Sequence, residues 1–349
     1  MNEQLERILI VGPAWVGDMV MAQTLFILLK QQNPEVQIDV LAPNWTLSLV
    51  ERMPEVTRSI PLSIGHKQLA LSKRWAISKA LRSQFYHQAI ILPQSFKSAL
   101  IPFWAKIAKR TGWLGEFRFG VLNDYRKLDK KQYPLMIQRF AALAYSPQTK
   151  LPSNLPKPKF FINPISLIQT LSSFNLSSKD APILALCPGA EFGSSKRWPE
   201  SHYSAIANEK LAEGWQVWLF GSPKDKRVTE RINHLTHNRC VDLAGKTHLN
   251  QAIELMSIAS LVVTNDSGLM HIAAALNLPL VAIYGSTSPT FTPPLQENAR
   301  IIALDLKCRP CFKRDCPLQH HQCMQLLKPD QVLDIIKHIN FRVKESVLE

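Results

Sequence analysis

Short apolar runs alternate with longer segments of helical period along most of this chain. RILIV (Arg7–Val11) ends at Gly12 and Pro13, the pattern of a strand buried on both faces. A helical stretch follows over residues 17–32. Further strands are predicted at 36–42 (VQIDVLA) and 88–92 (QAIIL), the latter ahead of the helix-like FKSALIPFWAKIA. Strand, helix, strand in this rhythm predicts a parallel sheet with helices on its faces.

The rhythm breaks between Ser146 and Pro164, where Pro147, Pro152, Pro156, Pro158 and Pro164 fall within nineteen residues. No regular element tolerates that density of proline, so the segment reads as an interdomain linker. After it the alternation restarts with PILALCPG, a helix over 201–213, strands at 215–220 and 261–266, a helix over 268–276 and then PLVAIYG. The expectation is two doubly wound α/β domains, residues 1–163 and 164–349, without a repeat visible in the sequence itself. The length of 349 residues fits two domains. A last amphipathic segment, PDQVLDIIKHI, follows a cysteine-rich loop.

Composition changes this picture in one respect. The hydrophobic share of 46% and charged share of 19% are those of an ordinary globular chain. The balance of 41 basic against 27 acidic residues is not, and gives +14. Such an excess favours an anionic partner, whether nucleic acid, a membrane surface or a phosphorylated substrate; a basic surface kept for solubility is the alternative. Nucleic acid is disfavoured, because no recognition-helix, RRM or zinc-finger pattern is present. The apolar run ILIV near the N-terminus is too short for a secretory leader, and nothing approaches the ~20 apolar residues of a membrane span. A cytoplasmic protein is expected, with any membrane contact peripheral and the six cysteines reduced.

Three strand-to-helix junctions carry candidate chemistry. GPAWVGD, ending at Asp18, has the glycines of a tight turn. A carboxylate where a P-loop needs lysine disfavours triphosphate chemistry, and the glycine spacing is not that of a dinucleotide fold. Asp18 either accepts a proton from a hydroxyl nucleophile or only caps the helix. CPGAEFGSSKRWP places Gly189, Gly193, Lys196 and Arg197 before a helix, a grip for a diphosphate or an exposed basic loop. In TNDSGLMHIAAAL, Asp266 ends a strand, Ser267 and Gly268 open a helix, and His271 lies one turn in. Ligands of open α/β sheets sit at such carboxyl ends. FGSPKD repeats the strand-then-glycine pattern, as a nucleotide contact or a plain turn.

Taken in order, GPAWVGDMVMAQTL, LPQSFKSALIPFWA, RTGWLGEFRFGVLND, CPGAEFGSSKRWP and TNDSGLMHIAAAL resemble glycosyltransferase family 9, the ADP-heptose:lipopolysaccharide heptosyltransferases. The resemblance covers nearly the whole chain and is closest to the branch acting on an acceptor that already carries one heptose. It implies a GT-B architecture, two Rossmann-like domains facing a central cleft, the first for acceptor and the second for donor. The implied reaction is inverting and needs neither cofactor nor catalytic metal. It carries L-glycero-D-manno-heptose from ADP-heptose to heptosyl-Kdo2-lipid A.

In that reading Asp18 is the general base and Lys196 meets the donor phosphates. Asp266 holds heptose hydroxyls, while Ser267 and Gly268 hold the diphosphate. His271, Gly17, Gly189, Ser195 and Gly221 complete the donor set, with residues 247–250 and FGSPKD towards the adenosine. Two other readings stay open. One is a family member with a different acceptor; the other is a nucleotide-sugar-binding regulator without turnover, against which Asp18 argues.

The basic excess then falls to the acceptor. Residues 97–131 hold Lys106, Lys109, Arg110, Arg118, Arg126 and Lys127 interleaved with Phe103, Trp104, Trp113 and Phe117, a surface for a phosphorylated lipid and the anionic inner leaflet, or simply a solvated face. Trp15, Ser95, Lys97, Arg110, Trp113 and Arg118 are the acceptor-side candidates. Cys308, Cys311, Cys316 and Cys323 lie within sixteen residues. They read as a structural zinc site, as reduced thiols or as a disulfide formed on isolation, none of them needed for catalysis.

Overall fold

A computed structural model describes residues 6–65, 68–177 and 181–341. The chain divides into two units, Met1–Pro158 and Lys159–Glu349. The break falls slightly before residue 163, where composition placed it, because Phe160 N already donates to Ala275 O inside the second unit.

In the first unit the strands are β1 Arg7–Val11, β2 Gln37–Pro43, β3 Arg58–Leu62, β4 Gln88–Ile91, β5 Lys109–Trp113 and β6 Asp124–Arg126. All pair in parallel, in the order β3-β2-β1-β4-β5-β6. The inner strands are apolar throughout because helices cover both faces: Leu9, Ile10, Ile90 and Ile91 have no exposed surface. The helix Val16–Gln32 is itself enclosed, burying Met19 to Phe26 without interruption.

The second unit repeats the plan. Its strands are β7 Ile183–Cys187, β8 Gln216–Leu219, β9 Val241–Asp242, β10 Leu261–Asn265, β11 Leu280–Ile283 and β12 Ala299–Ile302. Their order is β12-β11-β10-β7-β8-β9, again all parallel. Counted from its own first strand, that order is the same winding as in the first unit. The C-terminal helix Pro329–Lys337 packs into the core of this unit through Val332 and Ile336, beside Trp198, Tyr203 and Ile206. Each such fully buried aliphatic side chain contributes about 1.5–3 kcal/mol.

The winding fixes where ligands go. Where neighbouring strands send their connections to opposite faces, a crevice opens at the carboxyl ends. In the first unit that point lies between β1 and β4, and in the second between β7 and β10.

Candidate active site

The second unit concentrates its polar side chains at the β7–β10 switch point. Lys196, in the loop after β7, donates from Nζ to Asp266 Oδ2 at 2.7 Å and to Asp266 O at 3.3 Å. Asp266 follows β10 and is 3% exposed. Its Oδ2 also accepts from Thr287 Oγ1 at 2.5 Å, from the loop after β11. One carboxylate oxygen thus ties three βα loops together. Beyond it the helix Gly268–Ala275 begins, with Ser267 at its N-cap making no side-chain cap bond. The first amides of a helix have no intrahelical acceptor, so this end offers donors and positive potential to an anion.

Asn265 holds the frame from below. Its Nδ2 donates to Pro188 O at 2.7 Å, and its Oδ1 accepts from Trp198 N at 3.2 Å and Tyr203 OH at 3.0 Å. The loops after β7 and β8 are pressed together by glycine. A Cβ on Gly189 would stand 2.4 Å from Asp225 Cγ, and one on Gly221 would stand 2.9 Å from Asp225 Cβ. Asp225 in turn accepts from Ser222 N and Oγ, so FGSPKD is a capped turn. Residues 247–250 open the helix Leu249–Met256, whose N-cap His248 donates its backbone N–H to Gln251 Oε1.

His271 lies one turn into its helix and is 5% exposed. Burial drives its pKa down to about 4, Asp266 pulling it up and Lys196 pushing it further down. The imidazole is therefore neutral at pH 7. The unfolded chain takes up a proton near pH 6.5 that the folded chain refuses until about 4. Stability from this residue is full above pH 6.5 and is lost as pH falls towards 4. About 2 kcal/mol should be lost between pH 7 and 5. Urea midpoints of wild type and His271→Gln at the two pH values test this; an equal loss in both would refute the assignment.

The cysteine-rich loop has a role that sequence did not reveal. Ser195 N donates to Arg314 O at 3.1 Å, Ser195 Oγ to Lys313 O at 2.5 Å, and Ser194 Oγ to Asp315 Oδ1 at 2.7 Å. A Cβ on Gly193 would meet Arg314 O at 2.2 Å, so glycine is required for this close approach. Arg309 donates to Gly285 O at 2.8 Å and Thr287 O at 3.2 Å, fixing the loop that carries Thr287. The loop therefore buttresses both neighbours of Asp266. Cys308, Cys311, Cys316 and Cys323 are free thiols lining one cavity with Ser195, Ser286 and Arg309. Burial, then the other three thiols, pushes the Cys323 thiol up. Among the described residues no group of three or more His, Cys, Asp or Glu is arranged to hold a metal ion.

In the first unit Asp18 stands at the carboxyl end of β1. It is the third residue of the helix Val16–Gln32, whose N-cap is Trp15, so Asp18 is not the capping residue. It is half-buried, as is Gly17, while Trp15 is exposed. Gly12 leaves room for the Met19 side chain, whose Cε would stand 2.5 Å from a Cβ there. Ser95 and Lys97 open the loop and helix after β4, the other side of the switch point.

The remaining acceptor-side candidates are differently placed. Trp113 is 5% exposed, with Nε1 donating to Arg139 O at 2.9 Å. Arg118 is wholly buried and donates to Pro93 O and to Trp113 O. Arg126 is 8% exposed and donates to Ala142 O. Arg110 donates to Val121 O and Ile107 O and stacks on Phe103. The surface expected over 97–131 is corrected accordingly. Trp113, Arg118 and Arg126 hold the loops after β4 and β5 from inside rather than facing a ligand.

Two doubly wound units, one with an aspartate at its switch point and one with a lysine–aspartate pair beside a helix N-terminus, place the chain among α/β proteins with ligand crevices at the carboxyl ends of their sheets. The model of glycosyltransferase family 9 (heptosyltransferase) matches residues 74–322, and the chain belongs to that family. It is 45% identical to lipopolysaccharide heptosyltransferase 2 of Escherichia coli K12 over 337 residues, 94% of this chain and 97% of that one. It is 46% identical to lipooligosaccharide heptosyltransferase 2 of Haemophilus influenzae, covering 95% and 99%. The solved structure of E. coli ADP-heptose lipopolysaccharide heptosyltransferase II superposes with a TM-score of 0.86 at 42% identity, over 95% of this chain and 98% of that one. The architecture is thus GT-B, and the chain is a glycosyltransferase.

Thr287 and Arg309 were not picked out from sequence, while Asn265 and Asp225 lay inside the TNDSGLMHIAAAL and FGSPKD motifs without a role of their own. For Thr287 the signal was a Gly-Ser-Thr turn after an apolar strand (YGST).

Proposed function

We propose that the chain transfers L-glycero-D-manno-heptose from ADP-heptose to the first heptose of heptosyl-Kdo2-lipid A, with inversion at the anomeric carbon. The observation that carries this reading is the Lys196–Asp266–Thr287 cluster at the β7–β10 switch point, facing a helix N-terminus. The names of the relatives described above support the donor and the acceptor.

Asp18 takes the proton of the acceptor hydroxyl as its oxygen bonds to the anomeric carbon. The bond from that carbon to the phosphate oxygen breaks, and ADP leaves with the electron pair. ADP is a good leaving group, so no general acid is needed. The amides of Ser267 and Gly268 and the Lys196 ammonium offset the charge that builds on it. Asp266 holds heptose hydroxyls, with Gly17, Gly189, Ser195, Gly221 and neutral His271 shaping the donor site. Trp15, Ser95 and Lys97 are the acceptor-side candidates that stand near the β1–β4 switch point. No cofactor is required. Because the acceptor is a lipid, the chain works as a cytoplasmic protein held peripherally at the anionic inner leaflet. No helix of the described residues is long and apolar enough to cross a membrane.

ADP release from ADP-heptose should require heptosyl-Kdo2-lipid A. Release only with unheptosylated Kdo2-lipid A would keep the family and replace the acceptor. Donor binding without release on either acceptor would overturn the enzymatic reading.

A further inference from the structure

Between Val56 and Gly115 the chain carries ten Lys and Arg and not one Asp or Glu. A span of this length without a carboxylate is unusual in a chain with 27 of them. The fold gathers its exposed part on one face of the first unit, made by the helices Leu71–Arg82 and Phe96–Trp104, which pack together.

The cations on this face divide into two groups. Arg74 and Arg82 are structural: Arg74 donates to Leu69 O and Lys97 O, and Arg82 donates from Nε and Nη2 to Trp104 O at 3.0 and 2.9 Å. Lys73, Lys79, Lys106 and Lys109 are exposed. Among them stand large apolar side chains that the core does not use. Leu71 is 48% exposed, Trp75 48%, Phe85 71% and Phe103 40%. Trp75 and Phe103 are braced by neighbours. Trp75 meets Trp104 edge to face at 5.6 Å, the Arg82 guanidinium lies 5.1 Å over Trp75, and Arg110 lies 5.5 Å over Phe103. Arg82, Phe85 and Lys106 line one groove, which makes the patch continuous. Phe85 sits at φ +50°, a conformation that asparagine or glycine adopts more easily. Its ring is thus kept outside the core at some cost to the backbone.

Exposed aromatic side chains among lysines, on two helices that themselves carry no Asp or Glu, match the interface of an anionic bilayer. We propose that this face is the membrane-docking surface, and that its partner is a bilayer rich in anionic phospholipid. The inference rests on the lipid-acceptor reading and keeps Phe103, Lys106, Lys109 and Arg110 of the 97–131 stretch, while its buried Trp113, Arg118 and Arg126 drop out. Geometry gives it a purpose. The face begins beside Gln68 and Lys97, whose Nζ donates to Gln68 O. Lys97 stands in the first turn of the helix that follows β4, at the β1–β4 switch point. The face runs from there to the amino ends of β4 and β5, where Phe85 and Lys106 lie, so a lipid-anchored acceptor would reach the carboxyl edge of the sheet from the Lys97 end of the face.

The test is co-sedimentation of the full chain with phosphatidylcholine vesicles containing or lacking phosphatidylglycerol. Wild type should bind the anionic vesicles only and come off in high salt. Lys73→Glu/Lys79→Glu should weaken binding by about fivefold or more per lysine. Phe85→Asn, which suits the backbone, should weaken it several-fold without loss of folding. Turnover of a soluble, deacylated acceptor should be unchanged in both variants. Unchanged vesicle binding in both variants, equal binding to neutral vesicles, or a preference for a single-stranded oligonucleotide over vesicles would each overturn the proposal. Loss of turnover by wild type on every acceptor would instead count against the function, which the vesicle assay does not read.

Discussion

Asp18→Asn should lower kcat by about 10²–10⁴, the range that a positioned general base contributes. The substitution keeps the shape of the side chain and removes its basicity. Asp18 is the third residue of the helix that follows β1. A carboxylate there also interacts favourably with the helix dipole, so stability should fall by about 0.3–1 kcal/mol at most. Donor affinity should stay within about twofold, since the lost interaction is made in the transition state. The measurement is single-turnover transfer with saturating acceptor, beside donor titration by calorimetry. Transfer within tenfold of wild type would reduce Asp18 to its dipole role. Equal loss of donor binding would make it a donor ligand instead. A regulator without turnover would keep its function in the variant.

How much of this was legible beforehand follows from burial. RILIV, QAIIL, ILALC and LVVTN become β1, β4, β7 and β10, the central strands of their sheets. Strands enclosed on both faces must be apolar at nearly every position, and that leaves a plain mark. Edge strands leave none: β3 is RSIPL with a proline, β6 has three residues, β9 two, and β12 is half-exposed ARII. The same logic governs the site. Asp266, Lys196 and Asp18 were readable because they follow central strands, where the switch points lie.

The buttress was not readable. Arg309 and Arg314 act on the Ser195 and Thr287 loops largely through main-chain carbonyls, and a carbonyl acceptor has no sequence signature. The basic stretch after Lys97 misled for a related reason. Arginine serves as well inside a loop, spending its five donors on carbonyls as Arg118 does, as on a surface meeting phosphate.

The Lys196–Asp266 pair should show strong coupling. Its side chains are 13% and 4% exposed, with the ammonium also 4.9 Å above the Phe192 ring. Removing one partner of a buried pair leaves an uncompensated charge, at about 3–5 kcal/mol. Lys196→Met should therefore destabilise severely, because Asp266 would keep only the Thr287 hydroxyl of the two side-chain partners described. Asp266→Asn should do likewise for the opposite charge. The double variant Lys196→Met/Asp266→Asn removes both charges, so its loss should be well below the sum of the two singles. Catalysis should behave differently. An ammonium has three donors, and Lys196 uses two on Asp266 Oδ2 and O. The third is available to a phosphate oxygen of the departing ADP. Turnover should then remain at least about 10²–10³ below wild type in the double variant, the range of a lost charge-stabilising donor with the Asp266 carboxylate lost to the heptose besides, even as its urea midpoint recovers. Additive stability losses would show that the pair is not coupled. Recovery of turnover together with stability would mean that Lys196 and Asp266 serve only to neutralise one another, that the Asp266 carboxylate is not needed by the heptose, and that the leaving-group charge is met by the helix N-terminus alone.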